Sequence, residues 1–103
     1  MPTYRLTPPA QQDLKEIARY TLEKWGRKQV LSYKDLLEKR FHEIADKTAL
    51  SRQFSEVYPD VLVNRCEHHY IFFFHPEGKK PSILAILHER MNFVSKLKNR
   101  LNT

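Results

Sequence analysis

Arg65-Cys66-Glu67-His68-His69-Tyr70-Ile71-Phe72-Phe73-Phe74-His75-Pro76-Glu77-Gly78-Lys79-Lys80-Pro81-Ser82-Ile83-Leu84-Ala85-Ile86-Leu87-His88 is the stretch on which the fold turns. Residues 70–74 and 83–87 are two unbroken runs of β-forming apolar side chains. Pro76, Gly78 and Pro81 break the chain between them, where proline can donate no ladder hydrogen bond. The stretch reads as two β-strands joined by a turn. Side chains alternate between the two faces of a strand. Tyr70, Phe72 and Phe74 therefore share one face, with Ile71 and Phe73 on the other. The same rule sets Leu84, Ile86 and His88 against Ile83, Ala85 and Leu87. Both faces are apolar, so both need covering.

Working outward toward the N-terminus, residues 3–6 alternate weakly and read as a short first strand. Thr7 is a helix N-cap with Pro8 at the first helical position, where a missing N–H costs nothing. Ala10, Leu14, Ile17, Ala18, Thr21, Leu22 and Trp25 recur at helical spacing, and Gly26 stops the helix. Val30, Tyr33, Leu37, Phe41 and Ile44 mark the buried side of a second helix, while Lys28, Lys34, Asp35, Glu38 and Lys39 face water. The link is so short that the two helices must form an antiparallel hairpin. Trp25 and Tyr33 are expected in its packing. Periodicity fades over residues 46–60, a loop marked by Pro59 and tied down by Phe54 and Tyr58. Val61, Leu62 and Val63 then begin a further strand.

Past Leu87 the chain turns basic. Asn92 caps a short last helix with Phe93 or Val94, Leu97 and Leu101 on one side, and Lys96, Lys98 and Arg100 projecting elsewhere. No acid after Glu89 offsets them. The expected order is β-α-α-β-β-β with a terminal helix, an α+β arrangement in a single domain over residues 1–103.

Lys and Arg number 18 against 12 Asp and Glu, a net charge of +6. Such a balance favours an acidic partner, either nucleic acid or protein, without choosing between them. No apolar run is long enough to span a membrane and no signal-peptide pattern opens the chain, so no membrane role is expected. Cys66 stands alone, which excludes an internal disulfide and points to a reducing cytoplasm. Cys66, Glu67, His68, His69, His75 and His88 invite a metal reading. Strand alternation, however, sets Cys66 and His68 on one face and Glu67 and His69 on the other, and no Cys-x-x-Cys or His-Glu-x-x-His spacing occurs. Neither metal nor cofactor is expected. His88, beside Glu89 and Arg90, is expected to hydrogen-bond and hold the corner where the strand ends.

The helical hairpin covers one face of the sheet. Only the loop and the basic tail remain for the other. Either the tail folds back and completes the core, or the apolar surface of Tyr70, Phe72, Phe74, Leu84, Ile86 and Leu97 stays open. In the second case a partner lays an amphipathic segment there, its acidic flanks meeting the surplus cations.

The strand-helix-helix start ending in Leu22-Glu23-Lys24-Trp25-Gly26, then Arg65-x-x-x-His69-Tyr70-Ile71-Phe72-Phe73-Phe74 and Ile83-Leu84-Ala85-Ile86-Leu87-His88-Glu89-Arg90-Met91-Asn92, resembles the ParE/RelE toxin superfamily, its ParE branch most. The resemblance covers nearly the whole chain. It departs in carrying Asn92 where the closing motif has Asp. It implies a helical hairpin on a small, mostly antiparallel sheet, and the toxin of a type II toxin–antitoxin pair. Such a toxin inhibits DNA gyrase, is not an enzyme, is neutralised by an acidic cognate antitoxin, and meets operator DNA only through the joint complex. His88, Arg90, Met91, Lys96, Lys98 and Arg100 are then the target contacts, and Tyr70, Phe72, Phe74, Leu84, Ile86 and Leu97 the antitoxin contacts.

The rival within the superfamily is a ribosome-dependent mRNA endonuclease of the RelE type. Attack by a 2′-hydroxyl needs a base, an acid and a cation, which Arg65, His88 and Arg90 could supply if they converge. Against it, residues 93–103 hold neither Tyr nor His, and Phe72, Phe73 and Phe74 occupy the strand where cations would serve. A third reading is a non-toxic member acting as a binding module or repressor partner.

Overall fold

The computed structural model describes residues 4–101. Along the chain come β1 (Arg5–Leu6), α1 (Pro8–Trp25), α2 (Arg27–Ala45), β2 (Arg52–Gln53), β3 (Val61–Cys66), β4 (His69–Phe74), β5 (Ser82–His88) and α3 (Phe93–Leu101). Thr3, expected in the first strand, lies outside the described residues. The strands form one sheet in the order β1-β5-β4-β3-β2, with β1 parallel to β5 and the other neighbours antiparallel. Periodicity predicts only a loop over residues 46–60, yet the two-residue β2 lies within it. Its pairing of Arg52 with Val63 and Gln53 with Leu62 is a tertiary effect, too short to leave a periodic signal.

The helix boundaries follow from local chemistry. Thr7 accepts the Ala10 N–H at 3.4 Å and donates its hydroxyl to the Ile83 carbonyl at 2.9 Å, so the cap also fastens α1 to β5. Gly26 joins the two long helices alone, at φ +89°, and its N–H closes the last turn of α1 on the Leu22 carbonyl at 3.1 Å. The Asn92 side chain caps α3 through the Ser95 N–H at 3.3 Å.

The sheet has a core on each side. Under α1 and α2 lie Ala10, Leu37, Phe41, Ile44, Cys66, Ile71, Phe73, Ile83 and Ile86. On the far side Val61, Val63, Phe72, Ala85 and Leu87 pack with Leu97 of α3, and Phe54, Tyr58, Tyr70, Leu84 and Leu101 close the margin. Phe54 and Tyr58 tie the loop down as expected, Phe54 meeting the Phe72 ring edge-on at 5.5 Å.

Alternation holds through β4 and fails on β5. Phe72 opposes Ala85 while Phe73 opposes Ile83, so Leu84 is the extra residue of a β-bulge. Beyond the bulge the faces exchange. Ile83 and Ile86 point to the helices, Ala85 and Leu87 to α3, and Ile86 is removed from the surface it was expected to share with Leu84. A second break occurs at residues 67–68, a two-residue turn with Glu67 at φ +54° that sets Cys66 directly opposite His69. Cys66 packs in the helix-side core and His69 meets Tyr33 of α2. They do not fall on opposite faces as simple alternation required.

β1 covers only the first half of the β5 edge, at Ser82 and Ile83. Side chains complete the rest. Asp13 accepts the Ile86 N–H at 2.9 Å, and Arg100 donates to the Leu84 carbonyl at 3.2 Å. Together they stand in for the peptide group of an absent strand, which explains why a carboxylate on α1 can be buried.

Candidate functional site

The C-terminal end of β5 brings together the turn between β3 and β4, the N-terminal half of α2, and residues 88–91. Glu89 N–H donates to the His68 carbonyl at 2.8 Å, and the Glu89 carboxylate takes Arg65 at 2.5 Å and His68 Nδ1 at 2.9 Å. The His68 hydrogen bond, ahead of the Arg65 charge, holds the Glu89 carboxyl below the usual carboxylate range. Arg65 also donates from Nε to the Glu67 carbonyl at 3.1 Å and lies over the Tyr70 ring at 5.8 Å.

Three imidazoles meet here. The His88 ring is 5.1 Å from His69, edge-on, and 6.4 Å from His68, stacked. The Tyr33 hydroxyl accepts the His68 backbone N–H at 3.4 Å and lies 2.5 Å from His69 Nδ1. Burial, reinforced by His88 and His68, pushes His69 down to about 4, and burial pushes Tyr33 up to about 12. The Arg90 N–H donates to His88 Nδ1 at 3.0 Å, so His88 holds the corner as the sequence led us to expect. Among the described residues no three His, Cys, Asp or Glu side chains converge on a point that could hold a metal ion.

Of the expected target contacts, Arg90, Met91, Lys96 and Lys98 are exposed, and His88 is half-buried. Arg100 is committed internally. Its guanidinium makes two hydrogen bonds of 2.7 Å to the Asp13 carboxylate, which hold it still more firmly protonated. Periodicity placed Arg100 on an outward basic face. The buried acid that turns it inward sits beside the apolar stripe of α1, at a position that periodicity does not single out.

The expected antitoxin contacts divide. Leu97 of α3 shares a core with Phe72, neither exposed at all, so of the two alternatives the tail folds back and closes much of this face. Tyr70 and Leu84 border that core half-buried, Phe74 is 40% exposed at its edge, and Ile86 is under the helices. Apolar surface appears instead at the hairpin of α1 and α2. A cleft of about 320 Å³ runs between them over Leu14, Ile17, Ala18, Val30, Tyr33 and Leu37, bordered by Lys15 and Lys34. At the hairpin tip Trp25 is 71% exposed and Leu22 53%. Neither packs in the core as expected, although Thr21 in the same turn is buried.

A helical hairpin on one face of this sheet and a short basic helix on the other constitute the RelE/ParE-like α+β fold. A solved structure titled Chromosomal ParDE TA system from P. aeruginosa shares it, with a TM-score of 0.66 at 22% identity over 84% of this chain and 96% of that one. The family model described as ParE toxin of type II toxin-antitoxin system, parDE, matches residues 4–93. A relative from Escherichia coli named Toxin ParE is 40% identical over 101 residues, covering 98% of each chain. The chain belongs to the ParE toxin family of type II toxin–antitoxin systems.

Proposed function

We propose that the chain acts in the cytoplasm, arresting growth by inhibiting DNA gyrase without an enzymatic step of its own, and that a cognate antitoxin neutralises it. The observation that carries this reading is the state of the Arg65, His88 and Arg90 set. Arg65 is paired with Glu89 and His88 Nδ1 is occupied by a backbone N–H. A strong carboxylate thus sits where RNA cleavage would need free positive charge beside a phosphate. Arg90 and Met91 beside His88, and Lys96 and Lys98 along α3, remain exposed and, with His88, form the target-contacting surface. Arg100 serves that surface by fixing α3.

For the antitoxin, the available apolar surface is the α1–α2 cleft with Leu22 and Trp25, together with Tyr70, Phe74 and Leu84 beside α3. An acidic amphipathic segment suits it, since Lys15 and Lys34 border the cleft against one carboxylate, Glu38, which pairs with Lys34 at 3.8 Å and leaves the border net positive. Operator DNA is then reached through the toxin–antitoxin complex.

Gyrase supercoiling measured in vitro, alongside primer-extension mapping of mRNA after induction, tests the reading. Inhibited supercoiling with intact messages is the expected result. Normal supercoiling with codon-phased cuts would establish the endonuclease instead.

A further inference from the structure

At the opposite end of β5 from His88 is an open basin of about 1300 Å³, formed where β1, the C-terminal end of α2 and the β4–β5 turn meet. Arg5, Lys47, Lys79 and Lys80 line it together with His75. Among the described residues, Asp46 is the only carboxylate in that lining. Each of the four cations is exposed, and the backbone beneath them is fixed. Arg5 N–H is bound to the Pro81 carbonyl at 2.9 Å, and Lys79 N–H to the Pro76 carbonyl at 3.2 Å across a turn with Gly78 at φ +73°. Lys47, at φ +61°, donates its N–H to the Ile44 carbonyl at 3.1 Å. The neighbouring carbonyls of His42 and Glu43 are also bonded, by Asp46, Thr48 and Ala49. The negative end of α2 is therefore largely satisfied before any anion arrives.

These features select among polyanions. Of the two aromatic rings in the basin lining, Tyr4 is already packed on Phe41 at 5.1 Å and His42 at 5.2 Å, and His75 is a single half-buried imidazole, so the basin offers no row of platforms for successive unstacked bases. Binding of single strands relies on such platforms. Charge without stacking suits the phosphate backbone of a duplex, for which lysines act as point charges. Six residues of strand at about 3.3 Å each separate Ser82 from His88, so the basin is roughly 20 Å from the target-contacting end.

We propose that this basin binds the phosphate backbone of duplex DNA independently of sequence, through Arg5, Lys47, Lys79 and Lys80. The chain then contacts DNA directly, beyond the gyrase reading, in which DNA is reached through other proteins. The binding needs neither gyrase nor antitoxin, so its failure and the failure of that reading are separate events.

The test is fluorescence anisotropy of a short labelled duplex of arbitrary sequence against the full chain over a salt series. The expected results are binding at low salt, and loss of at least about tenfold in affinity for the triple variant Lys47→Glu, Lys79→Glu, Lys80→Glu. The log–log salt slope should flatten by about 0.9 for each phosphate that is no longer neutralised. The milder pair Lys79→Ala, Lys80→Ala should give a partial flattening, with circular dichroism unchanged in both. Lys96→Glu, Lys98→Glu on α3, outside the basin lining, should leave the slope as it was. No duplex binding at low salt, an unaltered slope in the basin variants, or an equal loss from the tail variant would each overturn the proposal. So would competition by polyglutamate as effective as competition by unlabelled duplex, which would make the basin a site for an acidic protein.

Discussion

Asp13 on α1 and Arg100 on α3, separated by 87 positions in the chain, form a two-point ion pair around the edge of β5, both distances 2.7 Å. The Asp13 side chain is 7% exposed and Arg100 29%. This pair, with Leu97 and the partly buried Leu101, holds a nine-residue helix, too short to be stable alone, against the sheet.

Removing either member leaves the other charged and poorly solvated. Asp13→Ala should cost about 3 kcal/mol. It also strands the Ile86 N–H. Asp13→Asn, which can still accept that bond, should cost less. Denaturant unfolding gives the stability. Hydrogen exchange should show α3 losing protection first, and an Arg100→Ala variant with α3 as protected as in the parent would contradict the role assigned to the pair.

Leu97→Ala should destabilise by about 2–5 kcal/mol, the range for emptying a fully buried leucine site. Val94→Ala, one turn earlier and 41% exposed, should change stability by no more than about 0.5 kcal/mol. Comparing the two midpoints at a common denaturant slope checks whether α3 seals the sheet through one side chain.

His69 supplies a pH dependence. Its folded value of about 4 lies below the ordinary 6.5. The unfolded chain therefore takes up a proton through pH 6.5 while the folded chain does not. The stability that neutral His69 supports is fully present above pH 6.5, falls as pH drops toward 4, and levels off below. Thermal melts from neutral to acid pH should show that decline. It should be smaller in His69→Gln, whose side chain can still meet the Tyr33 hydroxyl.

Gly26→Ala meets no atom within 4 Å of the added carbon, so sterics with neighbours do not oppose it. The φ of +89° does. A loss of about 1–2 kcal/mol is expected from backbone strain alone, read from the unfolding midpoint.

Trp25→Ala should leave stability within about 0.5 kcal/mol, since the ring is mostly in water. If the hairpin tip belongs to the antitoxin surface, the same change should weaken binding of a co-expressed cognate antitoxin by more than about tenfold, a hot-spot loss for a tryptophan. Calorimetric titration against the purified antitoxin separates the two effects.

The elements were legible wherever a single local rule governed them. Thr7, Gly26 and Asn92 terminate helices as their side chains or backbone freedom dictate, and the paired runs of residues 70–74 and 83–87 became β4 and β5. What escaped depended on partners distant in sequence. The bulge at Leu84 and the tight turn after Cys66 each shift the face of every following residue. They displaced Ile86 and paired Cys66 with His69 although neither apolar pattern changes. Asp13 reads as a polar interruption of an apolar stripe, and only the uncovered β5 edge with Arg100 beyond it gives that interruption a purpose. Trp25 continued the stripe in sequence, but the fold leaves its ring in water.

Because Asp13 and Arg100 clasp the β5 edge from opposite faces of the sheet, the seats of α1 and α3 are coupled. Prising α3 away uncovers in one event a strand edge at Leu84 and Ile86 and the apolar patch over Phe72, so any ligand able to draw the helix off gains two kinds of surface together.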